Sequence, residues 1–155
     1  MQGKEQVHED KACNVQKRCK TVKTIHVTAG VIIHEDKVLI TRRAPNENFA
    51  GSWEFPGGKI EPNETPEDCL VREIKEELNI DVSIEKFCTE VTHDYGHMIV
   101  HLMTYYCTII KGDIQISVHD QYKWVKINDL VKYDLLPADI PIVKKIMEEY
   151  LDKKQ

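Results

Sequence analysis

The chain has 155 residues, 41% of them hydrophobic and 30% charged. That size and balance suit one ordinary globular domain and exclude collagen, coiled-coil and wholly disordered classes. No apolar run approaches the roughly 18 residues of a membrane span, and a formal net charge of −5 argues against stable nucleic-acid binding through a basic face.

Residues 1–20 are polar, mixed in charge and aperiodic, and read as a flexible extension in which Lys17, Arg18 and Lys20 form a solvated basic stretch. The absence of an apolar stretch there, together with Glu5, Glu9 and Asp10, speaks against signal and transit peptides and for the cytoplasm. The five cysteines, Cys13, Cys19, Cys69, Cys88 and Cys107, are odd in number, widely spaced and without a CxxC pair. They read as reduced thiols, with Cys69 and Cys107 serving as small core residues.

A single domain is expected over 21–155. Ile25, Val27 and Val31 to Ile33 mark a β-branched strand. A polar turn at Glu35-Asp36-Lys37 then returns the chain into a second strand over 38–43, giving a hairpin. After a loop at Pro45, Asn46 and Asn48, a short strand over 52–55 ends at Pro56-Gly57-Gly58. The clearest helix opens with Thr65 as N-cap, Pro66 at the first helical position and Asp68 as capping-box acid. Its apolar stripe is Leu70, Val71, Ile74 and Leu78, and Asn79 supplies a left-handed stop. Strand-like runs follow at 80–91, 98–110 and 121–127, then a helical turn near 128–130. A terminal helix over about 139–151 places Ile142, Val143, Ile146, Met147 and Tyr150 on one face. This order predicts an α/β domain, a mixed sheet covered by helices.

The helix from Thr65 is where chemistry becomes visible. At 100° per residue, with Glu73 at 0°, Glu76 falls at about −60° and Glu77 at about +40°. Three carboxylates on one arc repel, and Arg72 neutralises only part of that charge. A hard divalent cation among the oxygens answers the crowding, with Glu64 near enough to join. The alternative is a solvated acidic face of no further consequence.

The wider string decides between them. Gly58, Glu64, Arg72-Glu73-Ile74, Glu76-Glu77 and Asn79-Ile80 stand at the spacing of the Nudix box, which the segment resembles. Six fixed identities at roughly one in fifteen each would coincide by chance about once in ten million starts. Asn79 stands where the family usually has glycine, and asparagine is the next-best left-handed residue. Outside the box, Ile40 to Ala44, Trp53 to Glu61 and Pro137-Ala138-Asp139-Ile140-Pro141 resemble the MutT branch, so the likeness spans most of 24–150.

The resemblance implies an α/β/α sandwich with a mixed sheet, and hydrolysis of a nucleoside triphosphate to monophosphate and pyrophosphate with Mg²⁺ or Mn²⁺. It implies a catalytic set of Arg72, Glu73, Glu76 and Glu77, in which the glutamates and the Gly57 carbonyl bind metal and Arg72 orients them. Glu54, Phe55, Pro56 and Gly57 are expected to border the nucleotide, and Lys59 to meet a phosphate. Of Arg42 and Arg43, strand alternation lets one face the pocket, and the resemblance favours Arg43. Many relatives carry a further glutamate before a Trp-containing strand. Here Val118 takes that place, with His119 and Asp120 beside it as substitutes or as plain loop residues. His93, His97 and His101 lack metal-ligand spacing.

Asp139 is expected either to cap the last helix, to read the base, or to do both. A carboxylate suits the N1–H and N2 edge of guanine and also the N4 amine of cytosine. The resemblance thus leaves 8-oxo-dGTP first, CTP, dCTP or 5-methyl-dCTP as rivals, and a nucleotide-binding sensor without turnover as a different class.

Overall fold

The computed structural model describes residues 22–154. The expected extension over 1–20, with Cys13, Cys19 and the Lys17, Arg18, Lys20 cluster, lies outside the described residues. Strand β1 (Lys23–His34) turns into β2 (Lys37–Arg43) through Glu35 and Asp36, at φ 51° and 64°. Two left-handed residues in succession match the twist of a tight hairpin, and both side chains are short or flexible enough to permit it. The hairpin pairing is brief, Ile33 with Val38 and His34 with Lys37. Upstream of it, β1 pairs in parallel with β6 (Met98–Lys111), which is antiparallel to β5 (Asp81–Asp94). Thr41 and Arg42 of β2 pair with β3 (Trp53–Glu54) on one edge and with β7 (His119–Lys126) on the other. One parallel pair among antiparallel ones makes the sheet mixed, as expected.

β1 is buried on both faces because both faces carry a helix. Ile32 points to one side with Leu39, Tyr105 and Cys107, under Leu70, Ile74 and Leu78 of α1 (Pro66–Leu78). Val31 points to the other, with Val38 and Tyr106, under Ile142, Val143 and Ile146 of α2 (Ile140–Lys154). Each such side chain contributes about 1.5–3 kcal/mol on burial. The Thr65 hydroxyl accepts the Asp68 N–H at 3.1 Å, and Asn79 stops α1 at φ 61°. Cys69, Cys88 and Cys107 are buried free thiols. No helix among the described residues is long and apolar enough to cross a membrane.

Three local features differ from expectation. The Pro56-Gly57-Gly58 stretch continues into a strand, β4 (Gly57–Lys59), which pairs with Val27 to Ala29 of β1. A Cβ on Gly57 would lie 1.9 Å from the Thr28 carbonyl oxygen, so only glycine lets the two backbones approach. β7 begins at His119, two residues earlier than expected. Asp139 ends a 3-10 turn (Pro137–Asp139), and α2 starts one residue later than expected, at Ile140.

Candidate active site

Helix α1 presents its glutamates to two different environments. The Arg72 guanidinium collects the first set: Nε donates to Glu64 at 2.6 Å, and Nη1 to Glu73 at 2.9 Å and Glu76 at 3.3 Å. Glu61 lies 3.8 Å away. This guanidinium holds the Glu64 carboxyl down at about 2. Glu73 lies directly over Gly58, where a Cβ would come within 2.2 Å of its carboxyl carbon. Glycine at 58 is therefore what lets that carboxylate rest on β4.

Glu77 receives none of this help. Its Oε2 is buried and has no hydrogen-bond partner. Burial, with the charges of Glu54 and Glu73, pushes its carboxyl up to about 8, while Arg43 acts in the opposite sense. The three box glutamates expected on one arc are thus divided, Glu73 and Glu76 held by Arg72 and Glu77 left inward. Among the described residues no three His, Cys, Asp or Glu side chains stand gathered as a ready-made metal cage. What fits a hard cation is the donor chemistry: a buried, unpartnered carboxylate oxygen beside further carboxylates.

Glu77 lines a cleft of about 710 Å³ that runs to the far end of β1. Glu54 forms its wall, bound by Arg43 Nη1 at 3.0 Å and by His119 Nε2 at 2.8 Å. Phe55, Gly57, Gly58 and Lys59 line it as well. Pro56 does not, contrary to expectation: it is buried behind the wall, and its carbonyl accepts the Gly30 N–H at 2.8 Å. Arg43 is the arginine that faces the cleft. Arg42 turns away and pairs with Asp120 at 2.8 Å. Val118 is half-exposed beside a smaller hollow shared with Glu54, Glu77 and His119.

Asp139 closes the other end. It is 4% exposed, and its Oδ2 accepts the Phe55 N–H at 3.1 Å. Its carboxyl is raised well above the usual range by burial first and the Glu54 charge second, against the Phe55 N–H. Asp139 immediately precedes α2, and the hydrogen bond its carboxylate makes reaches across to the backbone just after β3. Around it stand two aromatic residues that sequence reasoning did not single out. The Tyr95 hydroxyl accepts the Ala138 N–H at 3.2 Å, and Phe49 sits 5.3 Å from the Tyr95 ring at a left-handed φ of 58°. An aromatic residue in a turn was the available signal for both.

The model of the NUDIX domain matches residues 24–148. A CTP pyrophosphohydrolase of Escherichia coli K12 is 33% identical over 126 residues, 81% of this chain and 93% of that one. An 8-oxo-dGTP diphosphatase of Proteus vulgaris is 40% identical over 93 residues, 59% of this chain and 83% of that one. The solution structure of a MutT protein from methicillin-resistant Staphylococcus aureus 252 superposes with a TM-score of 0.68 at 41% identity. It covers 83% of this chain and 98% of that one.

Proposed function

The chain belongs to the NUDIX domain family, and from that premise we propose that it splits a nucleoside triphosphate and water into a monophosphate and pyrophosphate, with 8-oxo-dGTP as first substrate. Hydrolases of this family act on phosphoric anhydride bonds of nucleotides and generally use divalent metal ions. The observation that carries the finer reading is the cleft itself, with the orphaned Glu77 oxygen at one end and buried Asp139 at the other.

Glu73, Glu76 and Glu77, with the Gly57 carbonyl, hold Mg²⁺ or Mn²⁺ in this reading, and Arg72 orients the first two glutamates. The bound ion supplies neutralisation of phosphate charge and acidification of a water. Arg43 and Lys59 draw the triphosphate into the cleft, where the protein's overall negative charge gives no help. Glu54, Phe55 and Asp139 meet the base, and burial of Asp139 makes its hydrogen-bond pattern costly to leave unmatched. Asp139 equally supports a cytosine nucleotide, and the likeness to the Escherichia coli enzyme favours testing that as the second reading.

The decisive experiment incubates purified protein and Mg²⁺ with 8-oxo-dGTP, dGTP, CTP, dCTP and 5-methyl-dCTP and measures pyrophosphate. Highest kcat/KM on 8-oxo-dGTP is expected. Preference for a cytosine nucleotide would install the second reading, and tight binding without any release would make the protein a sensor.

A further inference from the structure

Three neighbouring residues where the chain enters β7 meet different fates. Val118 is half-exposed, Asp120 is bound to Arg42 on the outside, and His119 is buried against Glu54. The cause is a register shift. Arg42 pairs with Gln121 but Arg43 pairs with His119, so Asp120 is the extra residue of a bulge. Cross-strand partners share a face, and Glu54 lies opposite Thr41, two residues before Arg43. The bulge therefore puts His119 on the face of Arg43 and Glu54. In unbroken register Asp120 would occupy that place and confront Glu54 with a like charge.

His119 is an expensive residue to bury there. Its side chain is 4% exposed, its Nε2 lies 2.8 Å from Glu54 Oε2, and its Nδ1 is buried without a partner. A carboxylate only accepts, so Nε2 carries the hydrogen in this bond, and Nδ1 is left without a partner. Filling space alone would be done better by leucine, which strands no polar atom. The bond to Glu54 is what the imidazole adds. Arg43 Nη1 holds the same carboxylate, 3.0 Å from Oε1 and 3.3 Å from Oε2. Glu54 lines both the hollow shared with Glu77 and the cleft that ends at Asp139.

We infer that His119 is a positioning residue for nucleotide turnover, its Nε2–H fixing the Glu54 carboxylate where the phosphate and base ends of the cleft meet. This rests on the hydrolase reading of the cleft.

The test compares His119→Gln, whose amide nitrogen reaches the place of Nε2, with His119→Leu, which fills the space and donates nothing. His119→Asn, a donor too short to reach Glu54, serves in place of Leu should that variant not fold by circular dichroism. With 8-oxo-dGTP and dCTP, kcat/KM should fall about tenfold or more in Leu or Asn and stay within about threefold of wild type in Gln. In a Glu54→Gln background the Leu substitution should add less than about twofold, since its effect runs through Glu54. Leu equal to or better than Gln, or a Leu effect that persists without Glu54, overturns the inference. Should the wild-type protein release no pyrophosphate, the hydrolysis reading fails alone. The dissociation constants of the same nucleotides across the same variants then decide His119 by the same order of Gln and Leu. Absence of any nucleotide binding overturns both.

Discussion

The two ends of the cleft use the same functional group in opposite ways. At the α1 end, Glu64, Glu73 and Glu76 surround one guanidinium, each within 3.3 Å of it, and their charge is answered inside the protein. At the other end Asp139 is buried with a single backbone N–H for company. Glu77, on the same helix as Glu73 and Glu76, has a buried Oε2 without even that one donor. A carboxylate held by arginine supports local structure. One that is buried without a cation is an energetic debt in the free protein, and it marks the place where a ligand is expected to bring the missing charge or donor.

The largest expected effect breaks this comparison at Glu77. Glu77→Gln should lower turnover by about two to four orders of magnitude, roughly 3–5 kcal/mol of transition-state stabilisation. Stability should move the other way. In the metal-free protein the Glu77 carboxyl is raised to about 8 from an ordinary 4.5. Between those values the folded state keeps a proton that the unfolded state has released, so this group makes stability fall as pH rises through that window. Melting temperatures of metal-free wild type and Glu77→Gln, followed from pH 4.5 to 8, should therefore diverge in favour of the variant. Near-normal turnover in saturating Mg²⁺ would remove Glu77 from the metal set. A large drop in metal-free stability would make it a structural partner.

Gly58→Ala attacks the same end through the backbone. The new Cβ would stand 2.2 Å from the Glu73 carboxyl carbon, so Glu73 must leave its place over β4. Displacing a reacting group by about 1 Å costs on the order of a hundredfold in rate, and overpacking costs about 1–3 kcal/mol. A crystal or solution structure of the variant with Glu73 unmoved and full activity would refute the account.

How far the sequence disclosed this arrangement depends on the range of the interactions. Thr65, Pro66, the 3.6-residue stripe and Asn79 are local signals, and α1 stands at its expected place. The arc of Glu73, Glu76 and Glu77 was also legible from periodicity. Which of them Arg72 would take was not, because Glu64 comes from the preceding loop and the choice is made by packing over Gly58. The bulge that selects His119 over Asp120 is a property of two strands about 75 residues apart, and no local pattern encodes it. Asp139 reads locally as a cap, while its burial and its bond to the Phe55 N–H, 84 residues away in the chain, leave no mark in any local pattern.

At that far end the expected effect is smaller and appears as selectivity. Asp139→Asn retains an acceptor for the Phe55 N–H but exchanges the other oxygen for a donor. The ratio of kcat/KM between 8-oxo-dGTP and dCTP should shift about tenfold or more, with the melting temperature at neutral pH level or higher. Asp139→Ala should lose selectivity and also cost about 1–3 kcal/mol, because a buried Phe55 N–H is left without its partner. An unchanged ratio in the Asn variant would confine Asp139 to holding Phe55.

The smallest effect is expected one residue beyond His119, and it sharpens the contrast most. Asp120 is bonded to Arg42 through two hydrogen bonds of 2.8 and 2.9 Å, a closer pairing than most in the molecule. The Arg42 guanidinium lowers the Asp120 carboxyl in turn. Yet both groups stand on the outer side of the bulge, partly open to water, where screening and side-chain entropy leave an ion pair little net worth. Asp120→Asn should therefore leave kcat/KM within about twofold and the melting temperature unmoved within error. It should do so for 8-oxo-dGTP and for dCTP alike, since Asp120 lines neither hollow. A loss of turnover comparable to that of Glu77→Gln would mean that the bulge rearranges when substrate binds. Asp120, in place of His119, would then be the group that β7 delivers to the cleft.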